Sequence, residues 1–207
     1  MKCSYPQVGA TMFAGISVLS NSKHKIKTMA IQRPFNFKQW IDEHRHLLKP
    51  PVGNQQVYKG NDDFIVMVVG GPNARKDYHY DESEEFFYQV EGDIVLKIIE
   101  DGKPVDIPIK EGEIFLLPPR VPHSPQRPAN TVGLVIERYR REGERDGFMW
   151  FCENCGNKLH EDFTEVTDIV KQLPVIMGNF WDDEQKRTCS KCGEVLQPPA
   201  KPAEAAR

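Results

Sequence analysis

The stretch RKDYHYDESEEFFYQVEG, residues 75–92, contains the segment from which the fold is read. Its second half, EFFYQVEG at 85–92, alternates along a strand and then turns at a glycine. Working outward, FIVMVVGG (64–71) reads as a buried strand ended by glycines, and DIVLKIIEDGKPVDIPIKEG (93–112) as a hairpin around Asp101-Gly102. EIFLLPP (113–119) and TVGLVIERY (131–139) supply two more strands. Closely spaced strands with Gly/Pro turns and no helix between them predict a mainly β fold, a small barrel or double-sheet jelly roll. The mouth of such a barrel can hold one metal and one ligand.

The same stretch contains His79 and, six residues on, Glu85, while His123 lies in the distant segment LLPPRVPHSPQR. Two histidines and one carboxylate can bind one face of an octahedral metal and leave the opposite face for substrate and oxygen, the ligand set of non-haem Fe(II) oxygenases. Neighbours on a strand face opposite sides, so a slip of one residue would put Glu84 in place of Glu85.

The flanks differ from this centre. Residues 1–28 hold no Asp or Glu and close on Lys23, Lys25 and Lys27. They read as an N-terminal extension expected to be disordered; a transit peptide, or a true start at Met29, would also account for them. Phe37, Trp40, Ile41, His44 and Leu48 recur at helical spacing until Pro50-Pro51, and His44 and His46 read as ordinary residues of that helix. The barrel is expected to span 29–147, with RREGERDG (140–147) as a charged linker. A cysteine-bearing annex follows at 148–196 with a short amphipathic helix between its cysteine pairs, and QPPAKPAEAAR (197–207) reads as an unstructured tail.

Composition limits the function. A chain of 207 residues, 39% hydrophobic and 28% charged, fits a soluble globular domain, alone or with a small annex. The formal net charge of −3 gives no footprint for nucleic acid, and no apolar run reaches the length of a membrane span. Of five cysteines, four form the pairs Cys152/Cys155 and Cys189/Cys192, the arithmetic of a metal site in a reducing compartment. The knuckles C-E-N-C-G and C-S-K-C-G lie 33 residues apart, each followed by a glycine that permits a tight turn. They predict a closed tetrathiolate site for Zn or Fe, with no position left for substrate.

His79, Asp81, Glu85 and Gly92, with Gly112, Pro118 and His123, resemble the two-part cupin motif. Asp81 stands where many cupins have a second histidine, and Arg120 and Arg127 replace a usual Gly and Asn. That leaves three protein ligands and a more open metal. NARKDYH, EEFFYQVEGD, VPHSPQRP and a strand ending in Glu137 are, taken together, similar to the 3-hydroxyanthranilate 3,4-dioxygenase family over residues 29–196. The four-cysteine annex resembles the rubredoxin-like tail of its microbial members.

This resemblance implies a cytoplasmic, homodimeric Fe(II) enzyme of extradiol type. It would convert 3-hydroxyanthranilate and O2 to 2-amino-3-carboxymuconate semialdehyde, on the kynurenine route to quinolinate and NAD. It implies His79, Glu85 and His123 as iron ligands, Arg127 and Glu137 at the substrate carboxylate, Arg75 beside oxygen, and Glu85 within reach of substrate. A guanidinium fork suits a planar carboxylate. Glu137 fits there only if it carries a proton or also engages Arg127. Another cupin metalloenzyme, or a metal-responsive regulator with a zinc ribbon, are the competing readings.

Overall fold

The computed structural model describes residues 31–50, 53–59, 63–167 and 169–199. The expectations for residues 1–28 and for the tail beyond 199 lie outside the described residues.

The chain after residue 36 opens with a helix, α1 (Phe37–His44), and continues as a single 3-10 turn, Arg45–Leu47. The Asn36 side chain caps α1 by accepting the Gln39 N–H at 2.9 Å, meeting one of the donors a helix start leaves free. Eleven strands follow among the described residues. β1 (Asn54–Gln56), β2 (Phe64–Gly70), β4 (Glu85–Glu91), β7 (Ile114–Leu117) and β9 (Val132–Arg138) form a sheet in the order β1-β2-β9-β4-β7. β3 (Tyr78–Tyr80), β5 (Ile94–Glu100), β6 (Lys103–Ile109), β8 (His123–Gln126), β10 (Asp146–Phe151) and β11 (Lys158–Thr164) form a second, ordered β11-β10-β3-β8-β5-β6. Every ladder is antiparallel. The expected double-sheet β architecture is therefore present.

Alternation decides which side chains fill the space between the sheets. Phe87, Leu117 and Val135 from the first sheet meet Ile94, Leu96, Ile98 and Ile109 from the second in one buried cluster. Full burial of each such side chain contributes about 1.5–3 kcal/mol. Ile41 and Leu48 cover part of the outer face of the first sheet, packing with Val68 and Val132. A Cβ at Gly70 would lie 2.1 Å from the Leu48 carbonyl oxygen, so glycine is what allows this contact. The β5–β6 hairpin turns at Asp101 (φ 49°) and Gly102 (φ 73°), the left-handed pair that a two-residue hairpin requires.

His123 opens β8, where it lies directly opposite His79 of β3. One expectation changes. RREGERDG is not a free linker, because Asp146 and Gly147 already belong to β10, which pairs with both β3 and β11. The boundary placed at 147/148 falls inside this strand. α2 (Ile169–Trp181) and α3 (Glu184–Arg187) complete the annex. Its core is Phe148, Trp150, Ile176, Phe180 and Leu196, with the Trp150 and Phe180 rings stacked at 4.1 Å.

Arg120 occupies a left-handed backbone position (φ 64°), which explains why glycine is usual at that point of the motif. It is held there by its N–H bond to the Asp81 carbonyl at 2.7 Å and by its side-chain ion pair with Glu82 at 2.7 Å. Arg120→Gly should leave the melting temperature nearly unchanged, since relief of strain offsets the lost exposed pair. Arg120→Val, β-branched at positive φ, should lower it by roughly 2–8 °C in thermal melts.

Candidate metal centre and active site

The pairing of β3 with β8 sets His79 and His123 side by side, their rings 5.4 Å apart. Glu85 reaches them from β4 across the barrel. Strand register settles the choice between the two glutamates: Glu85 is buried and Glu84 exposed. One ligand atom from each of His79, Glu85 and His123 lies within 4.8 Å of the others. The His123 Nδ1–H donates to the Val121 carbonyl at 3.0 Å, which turns Nε2 toward Glu85. The His79 Nε2–H donates to Asp146 at 2.8 Å, which leaves Nδ1 as its free lone pair.

Glu85 Oε2 and His123 Nε2 are 2.7 Å apart, yet this buried oxygen receives no hydrogen bond. Burial alone would raise the Glu85 carboxyl, but His123 first, then His79 and Arg75, hold it below its ordinary value. Without a metal, positive charge at His123 and Arg75 answers the Glu85 carboxylate; with the His123 proton displaced, two ring nitrogens and a carboxylate oxygen converge on one point. That donor set fits a divalent metal.

Arg127 is buried and carries an unpaired Nε. Its Nη1 donates to Gln89 Oε1 at 3.3 Å, and its backbone N–H to Asn73 Oδ1 at 2.9 Å. Burial brings the guanidinium down to about 10, with Glu85 opposing the shift, so it stays charged at neutral pH. Room for it comes from Gly133, where a Cβ would lie 2.8 Å from Nη1 and 2.9 Å from Gln89 Oε1. Arg75, whose guanidinium Nη2 donates to Asp77, lies close enough for its charge to act on Glu85.

Glu137 stands opposite Glu85 on the neighbouring strand. Its charged partner is Arg140, with Nη1 3.0 Å from Oε2. Burial and the Glu85 charge outweigh that cation and push the Glu137 carboxyl up to about 7. Arg140 and Asp146 went unread in the sequence, hidden in a charge-rich segment. Asp81, at the position of the usual second histidine, is not in the metal cluster: its Oδ1 accepts from the Ser83 N–H and hydroxyl, and its Oδ2 faces Arg140. A cavity of about 780 Å³ lies on the other face of the second sheet, where Tyr78 and Ser124, the strand neighbours of His79 and His123, line it.

The second cluster is in the annex. Cys152, Cys155, Cys189 and Cys192 bring their sulfurs within 4.8 Å of one another, with Cys152–Cys192 and Cys155–Cys189 both at 3.6 Å. A tetrahedral site with bonds of about 2.3 Å has edges of roughly 3.8 Å. The two knuckles repeat one geometry: the Gly156 N–H bonds back to the Cys152 carbonyl and the Gly193 N–H to the Cys189 carbonyl, each at 2.9 Å. Burial raises the Cys189 thiol, but the backbone N–H groups of Cys192 and Lys191 outweigh it and lower the thiol, while the neighbouring sulfurs raise Cys155 and burial raises Cys152, so the four thiols share their protons unevenly. His160 stacks on Trp150 and is not a member of the cluster.

A two-histidine, one-carboxylate cluster inside a double-sheet barrel, joined to a tetracysteine annex, defines a class of barrel metalloprotein. Residues 29–181 match the family model for 3-hydroxyanthranilic acid dioxygenase, and the chain belongs to that family. A 3-hydroxyanthranilate 3,4-dioxygenase from Jannaschia sp. is 58% identical over 168 residues, 81% of this chain and 93% of that protein. One from Xanthomonas oryzae pv. oryzae is 54% identical over 166 residues, 80% of this chain and 93% of that protein. A cupin-2 domain containing protein from Shewanella frigidimarina is similar over 48% of this chain and 92% of that chain, at 18% identity and a TM-score of 0.40. No helix among the described residues is long and apolar enough to cross a membrane.

The two clusters differ in kind, and metal analysis should separate them. The barrel cluster has mixed N/O donors and an open face; the annex cluster is a closed set of thiolates. A mild Fe(II) chelator should strip the first and leave about one metal per chain. His79→Ala, Glu85→Ala and His123→Ala should each bind about one metal per chain as purified, and two metals in any of them would remove that residue from the ligand set.

Proposed function

We propose that this chain is an Fe(II)-dependent 3-hydroxyanthranilate 3,4-dioxygenase. It opens the ring of 3-hydroxyanthranilate with O2 to give 2-amino-3-carboxymuconate semialdehyde, on the route to quinolinate and NAD. The observation that carries the reading is the convergence of the His79–Glu85–His123 donors with a buried, under-paired Arg127. Such a site combines a metal position with a cationic fork for a planar anion, and the substrate has a carboxylate beside its amine and hydroxyl.

His79, Glu85 and His123 would hold the iron. When bound, Fe(II) supplies the redox-active centre at which ring electrons reach dioxygen, and both oxygen atoms enter the product without an external reductant. The chain's own groups bind, orient and shift protons. Arg127 takes the substrate carboxylate, with Gln89 steering its Nη1. A substrate carboxylate meets a cation that burial has already stripped of water, so the contact is strong and directional. Glu137, pushed up to about 7, carries a proton for part of the time at neutral pH. A protonated Glu137 donates to the same carboxylate, which removes the conflict of placing two anions together. Arg75, held by Asp77, stabilises negative charge developing on oxygen.

The barrel carries the chemistry, while the four-cysteine annex, which shares β10 with it, holds a second Fe or Zn with a structural role. The family resemblance implies a homodimer in the cytoplasm.

Kinetics with 3-hydroxyanthranilate test the reading. Arg127→Ala removes one partner of a buried charge contact, a loss of roughly 2–5 kcal/mol, and should raise KM about 30-fold or more while the protein still binds Fe(II). Arg75→Ala should lower kcat with a smaller change in KM. An iron-loaded wild-type protein that leaves the ring intact in air would overturn the proposal.

Gly133→Ala gives a finer check. The added methyl meets only the ends of two side chains, so the fold should survive, but it displaces the Arg127 fork. KM should rise about tenfold, the effect of roughly 1.4 kcal/mol, with little change in melting temperature. An unchanged KM would separate Arg127 from the carboxylate.

A further inference from the structure

Arg140 lies at the centre of a buried charge cluster that the ligand and substrate roles leave unexplained. Its guanidinium is in contact with three carboxylates. Nε and Nη2 donate to the two oxygens of Asp146 at 2.9 and 2.8 Å, Nη2 lies 3.1 Å from Asp81 Oδ2, and Nη1 lies 3.0 Å from Glu137 Oε2. Asp146 is 1% exposed and Asp81 3%, so neither charge is answered by water. The far side of this cluster is functional. Asp146 Oδ2 accepts the His79 Nε2–H at 2.8 Å, and Glu137 faces Glu85 across the strand pair.

We propose that Arg140 and Asp146 are positioning residues of the reaction: Asp146 fixes the tautomer and orientation of His79, and Arg140 ties that support to Glu137. The proposal rests on His79 being a barrel metal ligand. A histidine that binds metal through one ring nitrogen needs the proton held on the other, and a carboxylate there fixes the ring and raises the basicity of the donor nitrogen. Asp146 is itself held by a bidentate guanidinium, the most directional ion pair available. Arg140 then reaches Glu137 with its remaining nitrogen, so the metal ligand and the carboxyl at the substrate share one support. Asp81 belongs to this support: at the position of the usual second histidine, it faces the hub instead of the metal.

Substitutions separate the roles. In Asp146→Asn the amide NH2 must face a donor whichever way it turns, either the Arg140 fork or the His79 Nε2–H. Anaerobic Fe(II) competition against a chelator, at the barrel site of folded holo-annex protein, should show affinity reduced about 10- to 100-fold. At saturating Fe(II), KM for 3-hydroxyanthranilate should stay within about threefold of wild type, because Glu137 and Arg127 are untouched. Asp146→Ala, which adds no donor, should weaken Fe(II) similarly and is read in parallel in case the asparagine variant fails to fold. Arg140→Lys keeps the charge but loses the fork, and should weaken Fe(II) binding and raise KM together. Arg138→Gln breaks an ion pair with Glu144 nearby and serves as the control, with Fe(II) affinity and KM unchanged.

Folded Asp146 variants that bind Fe(II) as tightly as wild type overturn the support of His79. An Arg140→Lys enzyme with unchanged KM overturns the link to Glu137. If His79→Ala also leaves barrel Fe(II) binding intact, the ligand assignment beneath the proposal has failed.

Discussion

The site depends on two ring nitrogens and one carboxylate oxygen brought to a single buried point. β3 and β8 put two histidines opposite each other, each ring has its proton committed on the far side, and Glu85 brings a negative oxygen between them. Desolvation makes such a set unfavourable unless a positive ion completes it. The barrel supplies the dry, rigid walls that make the geometry persistent, and Phe87, which contributes to the apolar core, also packs edge-on to the His123 ring. Core and site are therefore one packing problem.

Charge around this centre is arranged in shells of alternating sign. Glu85 lies within the fields of Arg75 and Arg127, and Glu137 and Asp146 are drawn outward to Arg140. The raised Glu137 carboxyl follows from burial first and from the Glu85 charge opposite it second, which together outweigh Arg140. Gly133 has a comparable role in space, where the missing side chain leaves room for the Arg127 fork.

Much of this was legible in the sequence because local pattern governs it. The alternating strands, the Asp101-Gly102 hairpin, a helix in the 36–48 segment (which the structure ends at His44, His46 lying in a 3-10 turn) and the paired knuckles all announce themselves over a few residues. The His79–Glu85 spacing and the His123 segment gave the candidate cluster, and relatives at 54% and 58% identity agree with the family read from those motifs. What escaped was tertiary. β3 is three residues long, and β8 contains Pro125, a residue that argues against a strand. Arg140 and Asp146 sit in RREGERDG, where six charges in eight residues look like a solvated link. Their burial is set by partners 59 and 67 residues away, Asp81 and His79, and no local periodicity reports that. The choice between Glu84 and Glu85 also waited on register, which the β4 pairings fix.

β10 joins what the sequence divides. Its first half backs His79, its Phe148 ring lies 5.6 Å from that imidazole, and the same Phe148 enters the annex core with Trp150 and Phe180. A chain cut at 147 would lose more than a metal-binding tail. Tyr78–Tyr80 would become the outermost strand of its sheet, with backbone N–H and C=O groups open to any other extended chain. In that setting the annex acts as an edge guard. It keeps the histidine-bearing strand interior to its sheet, with both backbone edges paired.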